Sequence, residues 1–257
     1  MDMNFHDMSN PGMPMSLDSW QDWTEHIKEY ACSLDIEFSQ SHSYFYHFCS
    51  PRITDRDWRE ELIRRSFIGS SVLGIPWMVM HTSTYKENGY SYHRSKEMNL
   101  EQFKRWLELA HRYNVGIAIE NLYDPIDVFY RTYSCAPEEL IELVDELNDP
   151  LVGICWDTGH GNLCANDQNE SLKAVGKRLK AVHINDNDKL KDRHLLPFYG
   201  CIEWDEIMKT LKEIDYKGDF TFEITPFLDR VPTAARQKGL EHTVEVGNYL
   251  LGLIEEV

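Results

Sequence analysis

With 257 residues, 42% of them apolar and 27% charged, the chain has the make-up of a folded globular protein and not of a disordered one. Its 26 lysines and arginines face 43 aspartates and glutamates, and the resulting charge of −17 repels phosphate backbones; no basic groove offsets it, so nucleic acid is not a favoured partner. No apolar run approaches the ~20 residues of a membrane span, "MDMNFHDMSN" lacks the apolar core of a secretion signal, and six cysteines without a C-x-x-C pair read as reduced thiols, so a cytoplasmic protein without membrane partners is expected.

In chain order, "MDMNFHDM" reads as a short strand ending near His6. "SLDSWQDWTEHIKEYACSL" follows as a helix, with Trp20, Trp23, Ile27, Tyr30 and Ala31 close to helical spacing. "DIEFSQSH" is a strand ending on His42, and "TDRDWREELIRRSF" a helix opening on Thr54 as N-cap. "IPWMVMH" ends on His81; "NLEQFKRWLELAHRY" then starts a helix with Asn99 and Gln102 spaced as in a capping box. "VGIAIE" ends on Glu120, and "APEELIELVDEL" carries Pro137 in its first turn, where proline is tolerated. "LVGICWD" ends on Asp157, "LKAVH" on His183 and "DFTFE" on Glu223, with "DEIMKTLKEI" between the last two and a closing helix over 233–257. The strand ends from His42 onward lie 39, 39, 37, 26 and 40 residues apart, the length of a strand–helix unit, with the short interval implying a trimmed helix.

This alternation, unbroken by any linker or low-complexity tract, predicts one domain over 1–257: a parallel sheet clothed in helices. Near 250 residues the closed (β/α)8 TIM barrel ranks ahead of the doubly wound open sheet, whose G-x-G-x-x-G turn is missing here. Only seven strands can be counted, so the first strand–helix unit of the barrel is expected to be absent from this chain.

Barrel strands point their C-terminal ends at one pocket. Those ends carry His42, His81, Glu120, Asp157, His183 and Glu223, all metal-ligand residue types. One such residue at a strand end is ordinarily solvated or caps a helix; six in register point to a site. Two positions earlier on the last four strands stand Ala118, Cys155, Ala181 and Thr221, all small, whereas Ile119, Trp156, Val182 and Phe222 alternate to the outside. That leaves room for an ion and a small ligand. Carboxylates and imidazole without thiolate suit one divalent ion: Mn²⁺, Mg²⁺, Co²⁺ or Zn²⁺.

"VGICWDTGH", "AVHINDND…DRHLLPFYG" and "FTFEITP" resemble the sugar isomerase/epimerase superfamily of xylose-isomerase-like barrels, to which the type 2 AP endonucleases are related. The similarity runs from about residue 35 to about residue 225. It implies an ion held by Glu120, Asp157, His183 and Glu223. Glu120 and Glu223 double as the acid/base pair of a ketose isomerase or epimerase working through an enediolate, and His160 contacts substrate. His42, His81, Asp192 and His194 then line the substrate pocket. The endonuclease branch implies an alternative in which these nine residues hold up to three zinc ions in a phosphodiesterase. The acidic charge argues against it, as do the loops "HSYFYHFC" and "HTSTYKEN", which lack DNA-gripping arginines. A non-catalytic sugar-binding relative is the third reading. Homodimers or homotetramers are common in the superfamily. No phosphate-binding glycine loop is evident, which favours a free sugar. Tyr44, Phe45, Tyr46, Tyr123, Phe198 and Tyr199 are expected to shape the pocket, and Trp156 and Trp204 to pack in the core. In "HINDNDKLKDRH", Asn185 and Asp186 are expected to orient the loop, and Asp188, Lys189, Lys191 and Arg193 to be solvated.

Overall fold

The computed structural model describes residues 1–124, 131–164 and 167–255. Six strands form one parallel sheet in sequence order: β1 (Asp2–Asn4), β2 (Gln40–His42), β3 (Trp77–Met80), β4 (Gly116–Glu120), β5 (Val152–Asp157) and β6 (Leu179–His183). The helices are α1 (Phe5–Met8), α2 (Trp20–Ser33), α3 (Arg56–Leu73), α4 (Tyr92–Tyr113), α5 (Pro137–Leu147), α6 (Thr158–Leu163), α7 (Gln168–Val175), α8 (Trp204–Glu213) and α9 (Thr233–Glu255). The 26-residue interval indeed holds trimmed helices, α6 and the eight-residue α7. No helix among the described residues is long and apolar enough to cross a membrane.

Strands β4 and β5 are buried along their whole length, as parallel strands covered on both faces must be. Their two faces divide the core. Outward-facing Ile117, Ile119, Ile154, Trp156 and Val182 pack on Phe103, Leu140, Leu143, Leu172 and Val175 of the helices. The Trp156 indole N–H donates to Gln168 Oε1 at 2.9 Å, fixing it on the helical side. Inside, Val79, Ala118, Cys155 and Ala181 make a separate small-residue cluster, the inner layer that the alternation predicts. The sheet curls far enough for the Gln40 amide on β2 to reach the Val182 carbonyl on β6 at 3.3 Å.

Seven strands were expected; among the described residues six are found, and the seventh is reduced to a single bridge. "DFTFE" pairs only through the parallel bridge Ile184↔Phe222, with Ile184 N–H donating to Thr221 O (2.8 Å) and Glu223 N–H to Ile184 O (3.1 Å). Its ladder stops there because only one flank has a partner. The other flank looks across a cleft of about 1150 Å³, lined by Met1, Phe38, Phe220 and Leu251 among others, towards β1, which pairs only with β2. An eight-stranded closed barrel is therefore not formed by the described residues: the barrel is partial, as the strand count anticipated.

Three boundaries differ from expectation. β1 stops at Asn4, whose side chain accepts from Asp7 N–H and caps α1, so His6 sits on a helix just past the strand. Helix α3 begins at Arg56 with Asp55, not Thr54, in the cap position. Asn99 lies inside α4, which Ser91 caps. The Asn99 amide is claimed by tertiary structure instead: it donates to Ser83 O (2.6 Å) and accepts from Ser83 N–H (3.0 Å), pinning the loop that follows His81. The last two residues of the expected closing helix, 256 and 257, lie outside the described residues.

Helix α3 meets α1 at Gly69, where an added Cβ would lie 2.6 Å from the buried Phe5 ring. Overpacking of this kind costs about 1–3 kcal/mol, against roughly 1 kcal/mol gained from helix propensity on replacing glycine. We expect Gly69→Ala to lower the urea midpoint. Gly252→Ala on α9, where a Cβ meets nothing within 4 Å, should raise it. Equal midpoints for the two variants would refute this packing account.

Candidate metal centre

Every expected site residue is found at one end of the sheet. His42, Glu120, Asp157 and His183 are the last residues of β2, β4, β5 and β6. His81 lies one residue beyond β3, and Glu223 just past the bridge. His160 stands in the first turn of α6, and Asp192 and His194 come from the loop after β6. Their donor atoms fall into three groupings, each within 4.8 Å: Glu120, Asp157, His183 and Glu223; His42, His81 and Glu120; His160, Asp192 and His194. Glu120 is common to the first two. Its Oε2 lies 2.8 Å from His81 Nε2 and 3.5 Å from His42 Nε2. Its Oε1 lies 3.2 Å from His183 Nδ1, which is also 3.2 Å from Glu223 Oε2. In the third grouping Asp192 Oδ2 sits 3.4 Å from His160 Nε2 and 3.0 Å from His194 Nε2.

Backbone carbonyls fix how three of these rings face. His42 Nδ1 donates to Ser43 O (2.9 Å), His160 Nδ1 to Asn121 O (2.8 Å) and His194 Nδ1 to Glu223 O (2.9 Å). Each bond leaves Nε2 aimed at the carboxylates, the orientation a metal-ligating imidazole needs. His183 is turned the other way, with Nδ1 between the two glutamates and Nε2 3.5 Å from Asp2 Oδ2 on β1.

Burial and crowding set the charges. Burial alone raises the Glu120 pKa, but the His81 and His183 charges override it and hold the carboxyl well below its usual range. Burial, with the Glu223 and Glu120 charges acting against the His160 attraction, lifts Asp157 to about 7. Burial opposes the His194 imidazolium, yet the Asp192 hydrogen bond and the Glu223 charge carry its pKa up to about 9. The Cys155 thiol beneath the site is pushed well up by burial and stays neutral. Glu120 Oε2, Glu223 Oε2 and Asp192 Oδ1 are buried without a hydrogen-bond donor, and each such acceptor costs about 1–3 kcal/mol. Orphaned carboxylate oxygens gathered with imidazole nitrogens are what a divalent cation satisfies, so these residues fit a Mn²⁺, Mg²⁺, Co²⁺ or Zn²⁺ ion.

The loop that delivers Asp192 and His194 is organised by Asp186. Its carboxylate accepts from the backbone N–H groups of Phe198, Cys201 and Ile202 and from the Trp204 indole, all at 3.0–3.1 Å. Its backbone pairs both ways with Leu195 (2.8 and 2.9 Å), which folds the loop back over the sheet. Asn185 donates to Asp157 Oδ2 at 2.8 Å. The expected orienting role of both residues is thus visible in their bonds. Lys189, Lys191 and Arg193 are exposed, as anticipated, whereas Asp188 is half-buried because it pairs with Arg193 at 2.7 Å. His194 adopts φ +45°, a left-handed conformation that costs a non-glycine residue energy and gathers at functional sites.

Sequence reasoning missed Asn121 and Thr158. The Asn121 amide brackets the Asp157 backbone, accepting from its N–H (2.6 Å) and donating to its O (3.0 Å). Thr158 ties the β5 end to the β6 loop through Asn185 O (2.7 Å). The asparagine directly after the Glu120 strand end was the available signal for the first; nothing marked the second. His6 was recognised only as a strand end. It lines the cavity above the groupings, about 410 Å³ in volume, stacked 3.8 Å from the Phe45 ring and accepting from Phe45 N–H at Nδ1 (3.3 Å). Of the six expected pocket aromatics, Phe45, Tyr46 and Tyr123 line this cavity. Tyr44 is drawn to Arg59, and Phe198 and Tyr199 to Tyr249 and His242 of α9, so they do not.

A family model described as "Xylose isomerase-like TIM barrel" matches residues 1–245. The chain belongs to that family. Among xylose isomerase-like relatives, a D-psicose 3-epimerase of Enterocloster bolteae is 30% identical over 44% of this chain and 34% of its own. A probable endonuclease 4 of Mycoplasma mycoides subsp. mycoides is 26% identical over 62% of this chain and 56% of its own. The chain spans less than two thirds of the length of the curated relatives it matches. A crystal structure of a D-tagatose 3-epimerase-like protein superposes with TM-score 0.75 at 23% identity, over 91% of this chain and 84% of that one, which shows the shared fold.

Burial, followed by the His42 and His81 charges, holds the His6 pKa at about 4, below the ordinary 6.5. Between those values the unfolded chain takes up a proton that the folded one refuses. The stability that rests on neutral His6 is therefore complete above about pH 6.5 and lost as pH falls towards 4. Urea unfolding at pH 7 and pH 5 should show a smaller loss for His6→Gln than for the parent. Identical losses would contradict the assignment.

Proposed function

We propose that the chain is a divalent-metal-dependent isomerase or epimerase acting on a ketose or a related free sugar. The observation that carries this reading is the pair of glutamates, buried Glu120 from β4 and half-buried Glu223 from beyond β6, each 3.2 Å from His183 Nδ1 beneath a cavity of sugar size. Glu120, Asp157, His183 and Glu223 would hold the ion, which when bound supplies a Lewis acid to adjacent carbonyl and hydroxyl oxygens. One glutamate takes the proton from the carbon beside the carbonyl and leaves an enediolate. The other returns a proton, to the opposite face of the same carbon for epimerisation, or to the neighbouring carbon for isomerisation. His160 has its Nδ1 proton committed to Asn121 O, so its Nε2 is the atom that meets a substrate oxygen. The similarity to a protein named D-psicose 3-epimerase supports this reading.

One observation favours a second reading. The sugar mechanism uses four donors, yet nine gather in three groupings, two of which share Glu120. A phosphodiesterase holding three zinc ions would use all nine, and three relatives are named as probable endonuclease 4. The charge of −17 makes a nucleic-acid substrate the weaker choice.

Two measurements divide these readings. Elemental analysis of the purified protein should find one dominant divalent ion per chain; three zinc ions per chain would favour the phosphodiesterase. Incubation of a ketose panel in D₂O should place deuterium on the carbon beside the carbonyl, with activity lost to chelator and restored by Mn²⁺. Glu120→Gln and Glu223→Gln should each slow that exchange by about 10²-fold or more, the usual weight of a general acid or base. Full exchange in both variants would remove the acid/base assignment.

A further inference from the structure

Beside the cavity, Cys135 in the loop between β4 and α5 meets Cys164 at the end of α6, with their sulfurs 2.9 Å apart. That is within an ångström of a disulfide bond's ~2.05 Å. Among the described residues no other two cysteine sulfurs make such a contact; Cys49 and Cys155 are buried, Cys32 and Cys201 exposed. The Cys164 thiol also points at Cys135 O (3.3 Å) and Leu122 O (3.5 Å), so it stays against its partner. Its hydrogen bond favours the thiolate of Cys135, and the same bond, with burial, disfavours a thiolate at Cys164. With the Cys164 thiol held as a donor to those two carbonyls, Cys135 is the sulfur free to attack and Cys164 the one placed to resolve.

We propose that Cys135 and Cys164 form a reversible two-electron oxidation site that closes to a disulfide with a small peroxide. The Cys135 thiolate attacks one peroxide oxygen, the O–O bond breaks, hydroxide leaves and Cys135 becomes a sulfenic acid. The Cys164 sulfur attacks the sulfenic sulfur, the S–S bond forms, and the oxygen departs as water with the Cys164 proton. Two thiols and one hydrogen peroxide give one disulfide and two waters; a dithiol reductant reverses it. Cys135 is 9% exposed, enough for hydrogen peroxide but a poor target for bulky thiol reagents. The bridge would staple the loop carrying Leu122 and Tyr123 to the helix whose first turn carries His160, a contact that Tyr123 and His160 already make at 4.9 Å between ring centroids. The site is independent of the chemistry proposed for the metal centre.

The test uses the full chain, reduced, desalted and treated with hydrogen peroxide. Titratable thiols in denaturant should fall from six to four, the intact mass should drop by two hydrogens, and, in a digest cut before aspartate, which puts Cys135, Cys155 and Cys164 on separate peptides, one cross-link should join the Cys135 and Cys164 peptides. Dithiothreitol should restore six. Cys32→Ser and Cys201→Ser should still close the bridge, and Cys135→Ser and Cys164→Ser should not. Six surviving thiols, a cross-link between other cysteines, or oxygen added at Cys135 without bridging would each overturn the proposal. The peptide map of the unmodified sequence decides it even if the serine variants fail to fold.

Discussion

A carboxylate only 1% exposed, Glu120, sits among four imidazoles: His42, His81, His160 and His183 each place a ring nitrogen within 3.5 Å of it. A lone anion at that depth would be prohibitively costly, and the usual escape is protonation. Here the surrounding charges keep it ionised instead. The cluster is tolerable only as a whole, because removing any one ring leaves charge uncompensated in a dry interior. The parallel sheet exists around this requirement. It delivers one polar side chain per strand end to a single spot and supports them from below with Val79, Ala118, Cys155 and Ala181, which are small enough to leave the spot open.

Strand ends alone do not aim the rings. The carbonyls of Ser43, Asn121 and Glu223 do that by taking the Nδ1 protons, and those carbonyls belong to the residues next to or at the strand ends. The same short backbone stretches therefore supply both ligands and their orientation. The loop after β6 solves a harder problem, since Asp192 and His194 must return to the sheet they left. The fan of bonds into the Asp186 carboxylate holds that return, and the left-handed His194 backbone is strain it has to hold in place.

Period-two alternation and the recurring strand–helix interval made the parallel architecture and the six polar strand ends readable from sequence, because both are local properties. The grouping of those residues into three sets was not readable. It depends on how far the sheet curls, which is fixed by contacts such as Gln40 to Val182 that span 142 residues. Asn99 illustrates the same limit at small scale. Its spacing to Gln102 satisfies a capping rule, yet its amide is taken by Ser83, which no local pattern foretells. "DFTFE" has strand composition but only one flanking partner, so it forms a bridge and no ladder. The Cys135–Cys164 contact joins residues 29 apart across two loops, outside any spacing motif.

The donors of the central grouping run from Glu120 to Glu223, and His183 reaches back to Asp2 on the first strand. No segment of the chain can assemble this centre before the rest has folded around it. Whatever occupies the centre thus reads out the completed fold, and its binding energy is returned to the whole molecule rather than to a local patch. Each tenfold rise in a ligand above its dissociation constant should add about 1.4 kcal/mol to global stability. An open-edged sheet, with its seam unfilled between β1 and the Phe222 bridge, then has in its centre the clasp that its hydrogen-bond ladder does not provide.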